Sequence, residues 1–203
     1  MKVEEHHSEN MGYSDVCLSK KFSEIGNEMH VVTSTGNAYF GSKVFKEIFS
    51  SFLGKEEVSA GYKFVNGYHL HRLNYIRTPF GIYIKNLNNI ISEIKPDIVQ
   101  AGELTSLSTF QLAILCIFKR INLTVEVHTH KSVFLPAKKY SQLYKKKTLL
   151  NIIKYSYFLI KNFLYKILIG PIISHSIKQC YPISNDAADI AVNYLGIKSN
   201  KIK

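Results

Sequence analysis

The chain has 203 residues, which suffices for one sizeable domain and leaves room only for a small second one. With 46% hydrophobic residues it lies in the globular range, which excludes a disordered chain and implies a packed core. Lys and Arg outnumber Asp and Glu by 26 to 15, a formal charge of +11 that points to an anionic partner.

The opening Met1-Lys2-Val3-Glu4-Glu5-His6-His7 has no apolar core like that of a secretory signal. Residues 14–25 read as a helix: Ser14 can cap it, Asp15 suits its positive end, and Val16, Leu18, Phe22 and Ile25 recur at near-helical spacing. Gly26 ends it, and Met29-His30-Val31-Val32-Thr33 follows as a short β-branched strand. Residues 35–67 show weak periodicity and read as a long connection with a short helical piece at 44–53. Residues 68–73 alternate like a strand. Residues 82–94 have a helical pattern, with Ile84, Leu87, Ile91 and Ile94 on one face, and Pro96 stops it. A strand at 97–101, an apolar helix at 104–118 and a strand at 123–127 follow. Near the end, residues 180–184 read as a strand, and Asn185 caps a helix to residue 195 that Gly196 terminates.

Strands alternating with helices through short turns argue for a parallel sheet covered on both faces, and the strands read as apolar runs rather than alternating ones. The expected fold is therefore α/β: one Rossmann-like domain over residues 1–203, its parallel sheet flanked by helices. Residues 149–169 stand apart as one long amphipathic helix with a wide apolar face. Its length of roughly 30 Å could span a bilayer, but each mid-span lysine costs about 2.5–3.5 kcal/mol, so lying in the interface is the better fit. Packing of the apolar face on the sheet is the competing reading.

Between Glu126 and Asp186 there is no acidic residue but there are ten lysines, among them Lys138, Lys139, Lys145, Lys146 and Lys147. The absence of arginine there lowers the weight of nucleic-acid readout. An anionic membrane surface needs only point charges, and these five lysines are the candidates for meeting one. A merely solvated face remains the alternative. Cys17, Cys116 and Cys180 have no C-x-x-C spacing and read as buried free thiols in a reducing, cytoplasmic setting.

In an open parallel sheet ligands bind beyond the carboxyl ends of the strands. Those ends deliver Ser34 and Thr35, Gly102 and Glu103, His128, Thr129 and His130, and Ser184 and Asn185. His128 is the candidate acid/base group facing a sugar, with a hydrogen-bonded structural histidine as the alternative; Glu103 can hydrogen-bond a substrate hydroxyl or simply be solvated, and His130 and Ser184 share the rim. His128 and His130 have no third ligand nearby, so no metal is expected. His6-His7 reads as a loop pair. Gly12-Tyr13, leading into the first helix, lets backbone approach a phosphate or serves as a plain turn.

Several segments in order carry a resemblance. Gly12-Tyr13 followed by the run from Leu18 to Ser34, then Gly67 to Leu73, Lys95 to Ala101, Val125 to His130, and Tyr181 to Ile202 resemble the N-terminal, acceptor-side half of a GT-B glycosyltransferase of family 4. The resemblance implies transfer of a sugar from a nucleotide-sugar to a sugar or lipid-linked acceptor, with retention of configuration. It implies no metal and no cofactor, and it places polysaccharide biosynthesis within view. It also implies that the first strand is shortened or lost, and that the donor-binding domain is missing and must be supplied in cis or in trans. On that reading the 203 residues alone are inactive. The alternatives are a membrane-docked acceptor subunit of a two-chain enzyme, peripheral on the inner face of the membrane, and a basic α/β module binding anionic lipid.

Overall fold

The computed structural model describes residues 1–9, 11, 14–128 and 148–203. Along them run β1 (Lys2–Glu4), α1 (Ser14–Glu24), β2 (His30–Ser34) and α2, a π-helical turn at Phe45–Phe49 continued by Ser50–Leu53. Then come β3 (Gly61–Val65), β4 (Tyr68–Leu73), β5 (Tyr75–Thr78), β6 (Gly81–Ile84), α3 (Leu87–Ile94), β7 (Ile98–Ala101), α4 (Leu107–Lys119) and β8 (Asn122–Val127). The last part holds α5 (Leu149–Leu164), a π-helical turn at Tyr165–Ile169, α6 (Gly170–Ser176), β9 (Ile177–Pro182) and α7 (Asn185–Asp189).

Among the described residues, seven strands form one sheet in the order β3-β4-β2-β1-β7-β8-β9. Every neighbouring pair is parallel except β3 with β4, and β5 and β6 make a separate hairpin. This is the expected Rossmann-like α/β architecture. The first strand is short but not lost: β1 holds the centre, with Lys2 paired to Val31 on one side and Gln100 on the other.

One face of the sheet carries the main core. Val3, Val32, Val99, Ala101, Leu123, Val125 and Val127 pack there against Leu87 and Ile91 of α3, Leu112 and Cys116 of α4, Ile173 of α6 and Ala187 of α7. The other face holds a smaller cluster of Met29, Val31, Tyr68 and Leu70, and α1 lies against β4. The crossovers from β1 to β2 and from β7 to β8 run in opposite directions. Their right-handedness therefore puts α1 and α4 on opposite faces. Further along the second face, β7 and β8 present Ile98, Gln100, Thr124 and Glu126 in alternation with their buried residues. Strands β7 and β8 are thus apolar on one face, not the uninterrupted runs read from sequence.

Other expectations are corrected. Residues 82–84 are strand, not helix, because Tyr75–Thr78 pairs with Gly81–Ile84 as a hairpin; α3 begins only at Leu87. The isoleucine spacing that mimicked one helix spans both elements. Strand β3 was read as loop, since its side chains are largely exposed and carry no period-two pattern. Ser184, not Asn185, caps α7 through Ala187 N–H. Cys116 and Cys180 are buried, and burial pushes both thiols up to about 12, but Cys17 is exposed.

The long amphipathic helix forms but does not lay its apolar stripe on the sheet. Leu149, Leu150, Ile153, Leu159, Ile160 and Phe163 are exposed, and burial starts only at Tyr165 and Ile169. The π-helical turn there precedes Pro171, whose ring cannot continue a regular hydrogen-bond ladder. No described helix is long and apolar enough to cross a membrane.

The junction with α6 is tight. A Cβ at Gly170 would meet Leu195 O at 2.8 Å and Tyr165 O at 3.1 Å, both backbone atoms. Gly170→Ala gains up to about 1 kcal/mol of helix propensity. Overpacking against fixed backbone costs about 1–3 kcal/mol and outweighs it. The variant is therefore expected to melt a few degrees below wild type in a thermal unfolding scan. An unchanged or higher midpoint would mean that α6 and the turn at Leu195 move apart freely.

Candidate functional site

From β1 the chain passes to β2 on one side, and the sheet continues to β7 on the other. The crevice beyond the carboxyl ends of β1 and β7 is therefore the topological switch point. Glu4 and Glu5 lie on one bank and Gly102 and Glu103 on the other. Gly102 N–H donates to Val3 O at 3.0 Å. A Cβ at Gly102 would stand 3.3 Å from Glu4 Cβ, so a glycine lets the two strand ends close together.

Glu103 is held by donors. Its Oε1 accepts from Thr105 N–H at 3.3 Å and Thr105 Oγ1 at 3.4 Å, and its Oε2 accepts from His128 N–H at 3.2 Å. It thereby links the ends of β7 and β8. Glu5 sits differently. Burial pushes its carboxyl above the ordinary value, and the nearby Glu103 charge adds to this. Donors from Ile82 and Ser108 pull the other way. Glu5 Oε1 is buried with no hydrogen-bond partner among the described residues. Two carboxyl groups in one crevice, one bound by several donors and one whose ionised form burial disfavours, are the arrangement that separates acid and base roles.

His128 stands at the end of β8 with its side chain 40% exposed and Nε2 3.2 Å from Glu126 Oε2. Glu126 gathers further partners. Gln100 Nε2 donates to its Oε1 at 2.7 Å, and Lys2 Nζ lies 3.4 Å from its Oε2. Across β1, His7 is buried, with Nδ1 against Glu4 Oε1 and Nε2 2.8 Å from Tyr68 OH. Burial pushes the Tyr68 hydroxyl up to about 12. Arg72 donates to His7 O at 2.8 Å and Glu9 Oε2 at 2.7 Å, fixing the loop that leaves β1.

The structure brings Glu103 and His128 together, as the sequence reading expected of the rim. Ser34 is on the same rim but fully buried; its hydroxyl donates to Glu5 O and accepts from Gly36 N–H, so it shapes the Glu5 loop. Ser184 is exposed, and its oxygen accepts from Ala187 N–H at 3.2 Å. Gly12, Tyr13, His130, Lys138, Lys139, Lys145, Lys146 and Lys147 lie outside the described residues. Sequence reasoning missed Glu5, His7 and Glu126. The signals were a lone acid between Val125 and Val127, and polar residues directly after a strand too short to look central. Two surface cavities, of about 230 and 430 Å³, lie elsewhere: one at Arg72 and Lys63, the other between α3 and α4.

No family model matches the chain, and no curated protein does. Among solved structures it is similar to the crystal structure of Anabaena Alr3699/HepE in complex with UDP and glucose, at 13% identity and a TM-score of 0.47. That likeness covers 100% of this chain and 43% of the other, so the chain spans less than half of that protein's length.

Glu5 sets a pH dependence. Its folded-state value is raised, so its contribution to stability is present below the unfolded carboxylate value and is lost as pH rises through the folded value. Glu5→Gln, isosteric with the protonated acid, is expected to melt above wild type at neutral pH and to match it at about pH 4 and below. Parallel pH scans of the melting temperature read this; equal curves at pH 7 would show that Glu5 ionises without penalty.

Proposed function

We propose that this chain is the acceptor-side domain of a nucleotide-sugar-dependent glycosyltransferase. What supports the reading most is the placement of the segments that resemble family 4. They fall on α1–β2, β4, β7, β8 and β9–α7 in the order the resemblance requires, and their strand ends converge on the switch point. In this reading Glu103 orients an acceptor hydroxyl, Glu5 places beside it a second carboxyl whose ionised form burial disfavours, and His128 lines the crevice with its ring set by Glu126. Configuration at the donor sugar is retained. The donor enters as a substrate, with no bound cofactor, and is held by a second Rossmann domain in cis or in trans.

The exposed stripe on α5 supports a docked version of this function. Leu150, Ile153, Ile160 and Phe163 stand in solvent with the exposed Lys154 and Lys166 on the same run of helix, and the preceding segment carries Lys138, Lys139, Lys145, Lys146 and Lys147. Apolar side chains flanked by cations suit an anionic bilayer surface, where a lipid-linked acceptor would reside. The chain is then peripheral to the cytoplasmic leaflet, and nucleic acid is not its partner.

Two experiments test these readings. The DNA beyond the codon for Lys203, in frame or in an adjacent gene, is expected to encode a second Rossmann domain with basic and acidic residues for a nucleotide-sugar. Co-expression of both halves should give sugar transfer that neither gives alone, and Glu103→Gln should lower it at least tenfold, a loss of about 1.4 kcal/mol or more. Turnover by the purified 203-residue chain would contradict the half-site reading. For docking, the chain is expected to sediment with phosphatidylglycerol-containing vesicles at about 0.1 M salt and to lose this when Lys145, Lys146 and Lys147 become Glu. Unchanged binding in that variant would exclude surface charge as the anchor.

A further inference from the structure

At the opposite rim, the amino ends of β2 and β4 carry a group of imidazoles that sugar transfer does not use. His30 opens β2, and His69 and His71 alternate along β4. His30 pairs in register with His69, and strand residues two apart share a face, so all three rings stand on one side of the sheet. The rings of His30 and His69 stack with centroids 4.5 Å apart. Nδ1 of His30 lies 3.0 Å from Nε2 of His71, and Nε2 of His30 lies 3.1 Å from Oε1 of Glu28. Tyr62 OH on β3 is 2.8 Å from Nδ1 of His69.

We propose that Glu28, His30 and His69 form a site for one divalent transition-metal ion of the zinc class, with His71 and Tyr62 fixing the two ligand imidazoles.

The ligand atoms of the three residues lie within 4.8 Å of one another. Around tetrahedral zinc, with bonds of about 2.0–2.2 Å, ligands stand about 3.4 Å apart, so the set must contract by up to about 1.4 Å. Glu28 Oε1 and His30 Nε2 already stand 3.1 Å apart, so the adjustment falls on His69, whose ring must turn out of its near-parallel stack on His30 to aim a lone pair at the ion. The hydrogen bonds leave one acceptor nitrogen on each ligand ring. A neutral imidazole has one donor and one acceptor nitrogen. With His30 Nδ1–H donating to His71, the Nε2 lone pair faces the Glu28 carboxylate, and a cation between the two acceptors satisfies both. Tyr62, donating to His69 Nδ1, leaves Nε2 of that ring for the metal. Ligand rings held through their second nitrogen are the usual outer shell of such a site.

Two imidazoles and a carboxylate suit zinc, copper or nickel, and they leave a fourth position for water. The ion would clamp β2 to β4 and, through Tyr62, the antiparallel edge strand β3. The site is separate from the switch point, which lies at the other rim of the sheet, beyond the carboxyl ends of β1 and β7.

The test is calorimetric titration of the full chain with zinc chloride, alongside its melting temperature with and without zinc. One ion per chain is expected, at micromolar affinity or tighter, with a higher melting temperature in zinc. His30→Gln and His69→Gln should each weaken binding at least tenfold, and His71→Gln, which removes only a support, by less than either; His175→Gln should leave it unchanged. If a histidine variant fails to fold, Glu28→Gln on the exposed ligand still reads the site, because metal-free melting should not change while zinc binding weakens. Affinity no better than millimolar would overturn the proposal. So would zinc binding that survives both His30→Gln and His69→Gln.

Discussion

The fold depends on an ion pair placed inside its sheet. Lys2, on the three-residue central strand, is 1% exposed, and its ammonium reaches the carboxylate of Glu126 two strands away. Removing two charges from water costs several kcal/mol per ion, and attraction alone rarely repays it. Here Gln100 and His128 also bond to Glu126, so one carboxylate satisfies groups from β1, β7 and the end of β8. Glu4, His7 and Tyr68 do the same on the β2 and β4 side. A strand of three residues keeps the central place because its polar side chains reach past both neighbours, Lys2 to Glu126 on β8 and Glu4 through His7 to Tyr68 on β4. The switch point between β1 and β7 exists only while it does.

The site inherits its geometry from this arrangement. Glu126 sets the ring of His128, Glu103 binds the backbone of His128, and Ser34 and Arg72 hold the loop that carries Glu5. The rim is therefore preorganised from below, by Glu126, Ser34 and Arg72. That is what a reaction needing an oriented hydroxyl and a placed proton requires.

Much of the architecture was legible. Val31-Val32-Thr33 and Leu123-Thr124-Val125 announce strands because β-branched residues pack on a pleated, buried surface, and Gly26 and Gly196 end helices in left-handed turns. The regions that failed share a cause. Strand β3 and the hairpin of β5 and β6 are stabilised by pairing across the sheet rather than by a pattern along the chain, so no local period betrays them. Of the site, Glu103 and His128 could be found from strand ends alone. Glu5 could not, because its role depends on β1 being central, and Glu126 could not, because its partners lie 26 and 124 residues away. On α5 the stripe is legible along the chain but its fate is not, since tertiary packing decides which apolar face is left in solvent.

The central claim is that the crevice between β1 and β7 holds a sugar. Amide chemical-shift mapping of the isotopically labelled chain, titrated with a panel of methyl glycosides, tests it most directly. Saturable shifts are expected to concentrate at Glu5, Gly102, Glu103 and His128 and to be abolished by Glu103→Gln. Shifts confined to the opposite rim, or to the cavity between α3 and α4, or no saturable shift with any glycoside, would contradict it.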